Sequence, residues 1–152
     1  MTEKPESPQS LIGQRIPKRD APEKVNGRAR YVHDINLPGQ LVGKILRTDR
    51  VHARIIAIDV SAARALPGVH AVITAADAPD QAIGVTRDNP PLKSDRVRCE
   101  RDEIAAVAAE TEELADAALA LIRVEYEDLP VLLDAAVARD SGALLIHDDK
   151  PG

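Results

Sequence analysis

Aromatic residues are almost absent from this 152-residue chain, which has two tyrosines and no phenylalanine or tryptophan. A core built from this sequence must therefore be aliphatic, made mainly of Val, Ile, Leu and Ala. The chain also lacks the set of aromatic side chains on which successive bases stack in single-strand binders. We therefore expect no nucleic-acid partner.

Cysteine and long apolar runs are equally scarce. Cys99 is the only cysteine, so an internal disulfide is excluded and a reducing compartment such as the cytoplasm fits. The first ten residues, MTEKPESPQS, lack the apolar stretch of a signal peptide. No apolar run approaches the roughly 18 residues that a membrane-spanning helix needs. We therefore expect a cytoplasmic chain without a membrane partner.

The usual patterns of catalytic and cofactor-binding residues are also missing. None of the four histidines has a metal-ligand spacing, and no glycine-rich phosphate loop is present. The pair Glu112 and Glu113 is explained by the positive end of a helix, without acid–base catalysis. Cys99 is expected to be a buried, inert thiol in a strand. The sequence therefore predicts no catalytic, cofactor-binding or metal-ligating residue.

The length of the chain fits one domain, and we expect a flexible lead over residues 1–11 and a single domain over residues 12–152. The charge is uneven: residues 1–101 hold 17 Lys/Arg and 12 Asp/Glu (net +5), whereas residues 102–152 hold 3 and 13 (net −10). A solvated acidic helix with an acidic tail explains this asymmetry. The alternative is charge-steered docking of two surfaces on a partner.

Apolar periodicity predicts an α+β fold with short strands and two main helices. The strands are expected at residues 28–35, 41–48, 53–60, 69–74, 96–100, 104–109 and 123–127. The first helix, SAARAL, is expected to be capped by Ser61. The second is expected to follow the cap Thr111, with an apolar face made of Leu114, Ala117, Ala118, Leu121 and Ile122. Residues 77–95 are expected to be irregular, and therefore functional or covered by a partner.

Two blocks of sequence resemble the molybdopterin-binding large subunit of the xanthine dehydrogenase/aldehyde oxidase family. The first, DAPEKVNGRARYVHDINLPGQLVGKILRT, resembles the family pattern D-x-x-x-K-V-x-G-x-A-x-Y-x-x-D-I-x-x-P-G-x-L-x-x-x-x-x-R-S. It is followed by an H-A-R-I match and by ALPGVHAVIT. The second, VRCERDEIAAVAAETEELADAALALIRVEYEDLP, is similar to V-R-Y-x-G-[DE]-P-V-A-A-V-x-A-E-[ST], a helix, and V-x-Y-E-x-L-P. The matching positions of the first block are Asp20, Lys24, Val25, Gly27, Ala29, Tyr31, Asp34, Ile35, Pro38, Gly39, Leu41 and Arg47.

This resemblance covers about residues 12–152 and implies an α/β-hammerhead domain, with a mixed sheet of short strands. In the family, the domains with the pterin, the molybdenum and the glutamate base come later in a longer subunit, so no catalytic residue is transferred to this chain. Three departures stand out. The stretch TDRV replaces a small, proline-rich segment, Arg101 stands where glycine is usual, and Glu103 stands where proline is usual.

The resemblance implies a split or truncated piece of a molybdenum hydroxylase that is not active alone. Its partner would be the chain that carries the molybdenum–pterin cofactor, with iron–sulfur and FAD groups elsewhere in a hetero-oligomeric complex. The alternative is a stand-alone binding or assembly module, or an orphan fragment, without enzymatic activity. Charge and irregularity indicate a partner interface at residues 79–95 and at Arg47, Arg50 and Arg54, and Tyr31 is expected to anchor a neighbouring surface. His52 is expected to be a strand-end histidine that donates to the backbone, and the alternative is a contact to a cofactor or to the same partner interface.

Overall fold

The structure, a computed structural model, describes residues 13, 15–79, 82–85, 87–140 and 142–147. The contacts of the chain define two compact units, Met1–Pro38 and Gly39–Gly152. The expected flexible lead over residues 1–11 lies outside the described residues. The expected single domain over residues 12–152 stays a prediction.

The first unit contains a short helix, α1 (Ala21–Val25), with proline in its first turn, and a 3-10 turn at Val32–Asp34. The strand expected over residues 28–35 is therefore wrong. The Asp34 carboxylate accepts the Tyr31 backbone N–H at 2.9 Å. Such local side-chain hydrogen bonds offer the backbone an alternative to a sheet ladder, and they favour a turn here.

The second unit contains six strands: β1 (Val42–Arg47), β2 (Ala53–Asp59), β3 (Val69–Thr74), β4 (Arg96–Val97), β5 (Glu103–Ala109) and β6 (Arg123–Asp128). They form two three-stranded sheets with the orders β1-β5-β3 and β4-β2-β6. Each pairing of these strands is antiparallel. The predicted α+β class with short strands is confirmed, and the structure adds that the strands divide between two sheets.

Two helices follow the pattern expected for the second unit: α2 (Ser61–Arg64) and α3 (Glu112–Leu121). Thr111 caps α3 as predicted, because its side-chain oxygen accepts the Leu114 backbone N–H. Ser61 is not the cap of α2. Instead its backbone N–H donates to the Asp59 carboxylate at 2.9 Å, which satisfies one free donor at the start of that helix.

Helix α3 covers one face of the sheet β1-β5-β3, which we call the helix-backed sheet. Its buried side forms an aliphatic core with Val72 and Val107 of the sheet. The predicted apolar face is wrong at its edge, since Ala117 and Leu121 are exposed. The residues on the two sides of this face, Ala117 with Leu121 and Ala115 with Leu119, are all apolar. The sequence alone therefore does not show which side is buried. The row that packs instead is Leu114, Ala115, Ala118, Leu119 and Ile122.

A second, smaller core joins the two sheets. Its buried members are Ala53 and Ile55 of β2, Val97 of β4 and Ile104 of β5. Leu46, Ile58, Val124 and Tyr126 pack around them. The loop between β1 and β2 lies beside the end of β6, since Arg50 pairs with Asp128 and the Leu129 backbone N–H donates to His52.

Candidate functional site

The predicted arginines of the second unit lie in ion pairs on its surface. Arg54, on β2, donates to Glu127 of β6 at 2.9 Å, and both side chains are about half exposed. Arg50 reaches Asp128 at 3.6 Å, and its guanidinium lies 5.9 Å from the ring centre of Tyr126. These pairs join the β1–β2 loop and β2 to β6. The surface here therefore carries both signs of charge.

Arg47 ends β1 and is held by the chain itself. Its guanidinium donates to the Glu103 carboxylate at 2.6 Å and to the Arg101 carbonyl oxygen at 2.9 Å. Partial desolvation opposes ionisation of Glu103, but hydrogen bonds from its backbone and from Arg47 dominate and lower its pKa. Glu103, where the family pattern has proline, thus serves as the anchor of Arg47.

His52 is only 5% exposed. Its Nδ1 lies 2.7 Å from the Pro130 carbonyl oxygen, which can only accept, so Nδ1 carries a proton and donates. The Leu129 backbone N–H donates to the His52 carbonyl oxygen at 3.0 Å. Nε2 is buried and meets no hydrogen-bond partner among the described residues. His52 therefore fixes the segment after β6 against the start of β2, close to Arg50 and Arg54.

Tyr31, the remaining predicted interface residue, belongs to the first unit. Its side chain is about half exposed and stacks on the ring of His33, with centroids 5.9 Å apart. The turn that presents it is closed by the Asp34 carboxylate. Tyr31 therefore presents an apolar ring and a polar tip on the surface of the first unit, and its role in an interface stays a prediction.

A cleft of about 320 Å³ beside the start of β5 was not predicted from the sequence. It contains a buried ion pair of Lys93 (4% exposed) and Asp102 (8% exposed), with Nζ 3.6 Å from the carboxylate. The Lys93 ammonium also donates to the Asn89 side chain at 2.8 Å and to the Pro90 carbonyl oxygen at 3.0 Å. Lys93 thereby ties the end of the irregular 77–95 segment to the start of β5.

Cys99 lies on the rim of this cleft and is exposed, so the expected buried thiol in a strand is wrong. Strand β4 ends at Val97, and a turn follows in which the Asp102 backbone N–H donates to the Cys99 carbonyl oxygen. The thiol donates to the Asp102 carboxylate at 3.2 Å. Desolvation, followed by the hydrogen bond and charge of Asp102, raises the pKa of Cys99, which makes it a poor nucleophile at neutral pH.

No signal in the sequence marks this cleft. Lys93 and Asp102 are nine positions apart, in segments with no common periodicity, and only the fold brings them together. Within the described parts of the chain, no group of three or more His, Cys, Asp or Glu side chains is arranged to hold a metal ion. No helix of the described residues is long and apolar enough to cross a bilayer.

Comparison with known proteins defines the class to which this fold belongs. Residues 26–130 match the family described as "Aldehyde oxidase and xanthine dehydrogenase, a/b hammerhead domain". This match covers more than half of the chain. The chain therefore belongs to this family, and the hammerhead fold expected from the resemblance is confirmed.

Curated relatives and a solved structure place the match within longer chains. The chain is 44% identical over 138 residues to a probable xanthine dehydrogenase subunit from Bacillus subtilis (88% of this chain, 18% of the relative). It is 37% identical over 141 residues to the nicotinate dehydrogenase large molybdopterin subunit of Eubacterium barkeri (91% of this chain, 33% of the relative). The crystal structure of quinoline 2-oxidoreductase from Pseudomonas putida 86 superimposes with a TM-score of 0.84 at 32% identity (95% of this chain, 20% of that one).

The chain thus spans only about a fifth to a third of the length of these similar proteins. They are oxidoreductases by name, and two of them are named as subunits. The chain is a member of the molybdenum hydroxylase family, and its matched part is the hammerhead domain.

Proposed function

We propose that this chain is a non-catalytic hammerhead part of a molybdenum hydroxylase and docks on a chain that carries the molybdenum cofactor and the active site. The observation that carries the proposal is the family match over residues 26–130, in a fold that is one part of much longer relatives. The name of the Eubacterium barkeri relative assigns the molybdopterin to its large subunit. The chain would shape and close the assembly, in a hetero-oligomeric complex of the cytoplasm.

The polar groups of the cleft around Lys93 and Asp102 support a structural role. Lys93 is surrounded by acceptors of its own chain, and Asp102 accepts backbone N–H groups from Arg98 at 2.8 Å and from Cys99 at 3.3 Å. Groups that act on a substrate need free donors, acceptors or a nucleophile with a suitable pKa. In this cleft the charges hold loops together, and the thiol has a raised pKa.

In the described cleft around Lys93 and Asp102, the carboxylates are engaged with Lys93 and with backbone N–H groups and the thiol donates to Asp102, which does not suit the binding of a molybdenum centre there. We therefore assign the molybdenum–pterin cofactor to the partner chain, and iron–sulfur and FAD groups to other parts of the complex. No step of the reaction is assigned to residues of this chain.

The metal content of the isolated chain tests this assignment. The full chain, produced in a host that makes the molybdenum cofactor and purified without partners, should be folded and contain far less than one molybdenum per chain. Circular dichroism supplies the control for folding. Stoichiometric molybdenum in the folded, isolated chain would show that the chain itself holds the cofactor, against the proposal.

The partner surface of the second unit is proposed to include Arg47, Arg50 and Arg54, positioned by His52, together with the 79–95 segment. Tyr31 is proposed as the contact from the first unit. Arg50 of the β1–β2 loop and Arg54 of β2 are each about half exposed, and each lies beside a carboxylate of β6. Paired charges on a surface contribute little to folding but can set the orientation of a partner.

Exchange of the pair Arg54 and Glu127 tests this surface without leaving an unpaired charge. The double variant Arg54→Glu/Glu127→Arg keeps the ion pair but reverses the polarity that a partner meets. We expect unchanged unfolding and at least a fivefold weaker capture of the partner in a pull-down at low salt, since opposed charges steer association. The matched control is the same exchange in the pair Asp20 and Lys24, two half-exposed side chains at α1 in the first unit. Equal capture by both exchange variants and the wild type would remove this surface from the interface.

A further inference from the structure

The helix-backed sheet has a second face that no described helix covers. Residues buried under α3 alternate along β5 with partly exposed ones: Ala105, Val107 and Ala109 are buried, whereas Ala106 and Ala108 point to the other side. The strand register places Ile45 and Ile73 on either side of Ala106. It also places Gly43 and Ala71 on either side of Ala108. We call these residues the bare face: Gly43, Ile45, Ala71, Ile73, Ala106 and Ala108.

The composition of the bare face does not suit a solvated surface. An antiparallel sheet with one face in water normally alternates apolar and polar residues, so that the outer positions are polar. Here all six outer positions are apolar or glycine. Ile45 and Ile73 are nevertheless 47% and 41% exposed. A contiguous exposed apolar surface of this kind marks an interaction site.

The small residues make the bare face flat and approachable. A Cβ built on Gly43 would meet nothing closer than the Val107 carbonyl oxygen at 4.0 Å, and the residue has no positive φ. Its own fold therefore does not require glycine here. Glycine inside a strand often marks the close approach of another backbone. Alanine at the two central positions likewise leaves room for side chains from outside.

The edge of β3 is protected, which indicates face-on packing and not the addition of a strand. The Arg64 guanidinium donates to the Val72 carbonyl oxygen through Nε at 3.2 Å and through Nη2 at 2.9 Å. It also pairs with Asp77 at 3.1 Å. Such a charged side chain across a free edge is a common device against strand pairing.

We propose that the bare face is the surface on which the cofactor-bearing chain of the hydroxylase packs, through an apolar patch of its own. This inference rests on the proposed function. Two observations favour this occupant. The six residues of the bare face carry no charge, so they suit apolar side chains of a partner better than an acidic or basic segment. In the similar proteins, 67–82% of the chain lies outside the matched region (100 minus 33 and 100 minus 18), which supplies ample polypeptide to cover the face.

Lysine substitutions on the bare face test the proposal. In Ile45→Lys/Ile73→Lys, both side chains start from partly exposed positions, so their ammonium groups can reach water and the isolated chain should stay folded. In the complex the charges would be buried without partners. We expect at least a tenfold loss of the molybdenum-containing chain that co-elutes with the tagged variant from the native host. The matched control is Leu121→Lys, a leucine that is 39% exposed and belongs to α3, the helix that covers the opposite face of the same sheet.

A labelling experiment avoids any disturbance of the interface. In a Cys99→Ser background, Ile73→Cys should react with a maleimide in the isolated chain and be at least tenfold slower in the complex. Leu121→Cys, on α3, should react equally in both forms. Full reactivity of Ile73→Cys in the complex, or equal loss of assembly in the Leu121→Lys control, would overturn the assignment. Protection already present in the isolated chain, together with a doubled mass in light scattering, would assign the face to a second copy of the chain instead.

The outcomes separate the inference from the proposed function. If the wild-type chain co-elutes with no molybdenum-containing chain, the proposed function fails. If the wild type co-elutes and the lysine variant co-elutes equally well, only the assignment of the bare face fails.

Discussion

Arg101 adopts a left-handed backbone conformation, with φ of +74°. It occupies the third position of the turn that begins at Cys99, where a positive φ favours glycine. The family pattern has glycine at this place, and the structure supplies the reason. The turn forms here although residue 101 is arginine, because two hydrogen bonds hold its backbone. The Arg101 N–H donates to the Thr48 carbonyl oxygen, and the Arg101 carbonyl oxygen accepts from the Arg47 guanidinium.

Replacement of Arg101 by glycine should stabilise the chain. Relief of the left-handed strain, worth about 1–2 kcal/mol, exceeds the entropy that glycine adds to the unfolded chain, about 0.5–1 kcal/mol. We expect Arg101→Gly to raise the free energy of unfolding by roughly 0.5–1 kcal/mol, measured by urea denaturation. Arg101→Ala is the control, because it removes the side chain but keeps the strain. A glycine variant no more stable than the alanine variant would contradict this account.

At the scale of single residues, the sequence predicted which side chains to consider but not their partners. Arg54 and Glu127 are 73 positions apart, and His52 and Pro130 are 78 apart. Only the pairing of β2 with β6 brings them together. The exposure of Cys99 was mispredicted for a related reason, since β4 ends at Val97 and the turn after it depends on Asp102.

At the scale of elements, the turn between α2 and β3 is fitted closely to α3. Gly68 has φ of +85°, and a Cβ built on it would lie 2.6 Å from Cδ1 of Leu114. Its carbonyl oxygen accepts the Glu110 backbone N–H just before α3 begins. This glycine thus sets how closely the turn approaches the helix.

Gly68→Ala should therefore destabilise the chain more than the same change at an open turn. Strain and overpacking together should lower the free energy of unfolding by about 2–4 kcal/mol. The control is Gly39→Ala, where φ is +75° and a Cβ meets nothing within 4 Å, so that only the strain of about 1–2 kcal/mol applies. Thermal and urea unfolding of both variants measure the difference. Equal losses of unfolding free energy in the two variants would show that the contact with Leu114 adds no destabilisation.

The strands and the long helix were predictable because their periodicity is local. The strand at residues 69–74 was predicted at its observed bounds, and those at 41–48 and 53–60 within two residues. The element at residues 28–35 was mispredicted because Asp34 bonds the Tyr31 backbone and forms a turn. The buried row of α3 depends on tertiary packing, since Ala115 and Ala117 are equally apolar.

At the scale of the whole molecule, several carboxylates have pKa values below their usual range. For Asp77, the backbone N–H of Thr74 is the main cause, desolvation opposes it, and the Thr74 hydroxyl and Arg64 add to the lowering. For Asp59, the Ser61 hydroxyl and then the Ser61 backbone N–H lower the pKa. A group whose folded pKa is depressed contributes stability above its unfolded pKa and loses it as pH falls through the folded pKa.

Stability should therefore decline as the pH falls below about 4. For Asp77→Asn, we expect a stability deficit relative to the wild type that is constant from pH 7 to pH 5 and shrinks below the ordinary pKa of aspartate, 3.8. The measurement is the urea midpoint as a function of pH for both proteins. A deficit that stays constant or grows in acid would contradict the lowered pKa of Asp77.

The division into two sheets, and with it the bare face, could not be predicted from the sequence. Period-two patterns show that a strand has two faces, but they do not show which strands are neighbours. Ile45, Ala106 and Ile73 form one row only because β5 lies between β1 and β3. The family resemblance identified the domain, while the register of the strands shows which surface remains to be covered.

The measurement that tests the central claim most directly is purification of the tagged chain from its native host under gentle conditions. Co-eluting proteins are identified by mass spectrometry, and molybdenum is counted in the same peak. We predict a larger partner chain in that peak, with molybdenum in proportion to it. A lone, folded, metal-free chain would contradict the account and indicate a stand-alone module whose family membership reflects ancestry without activity.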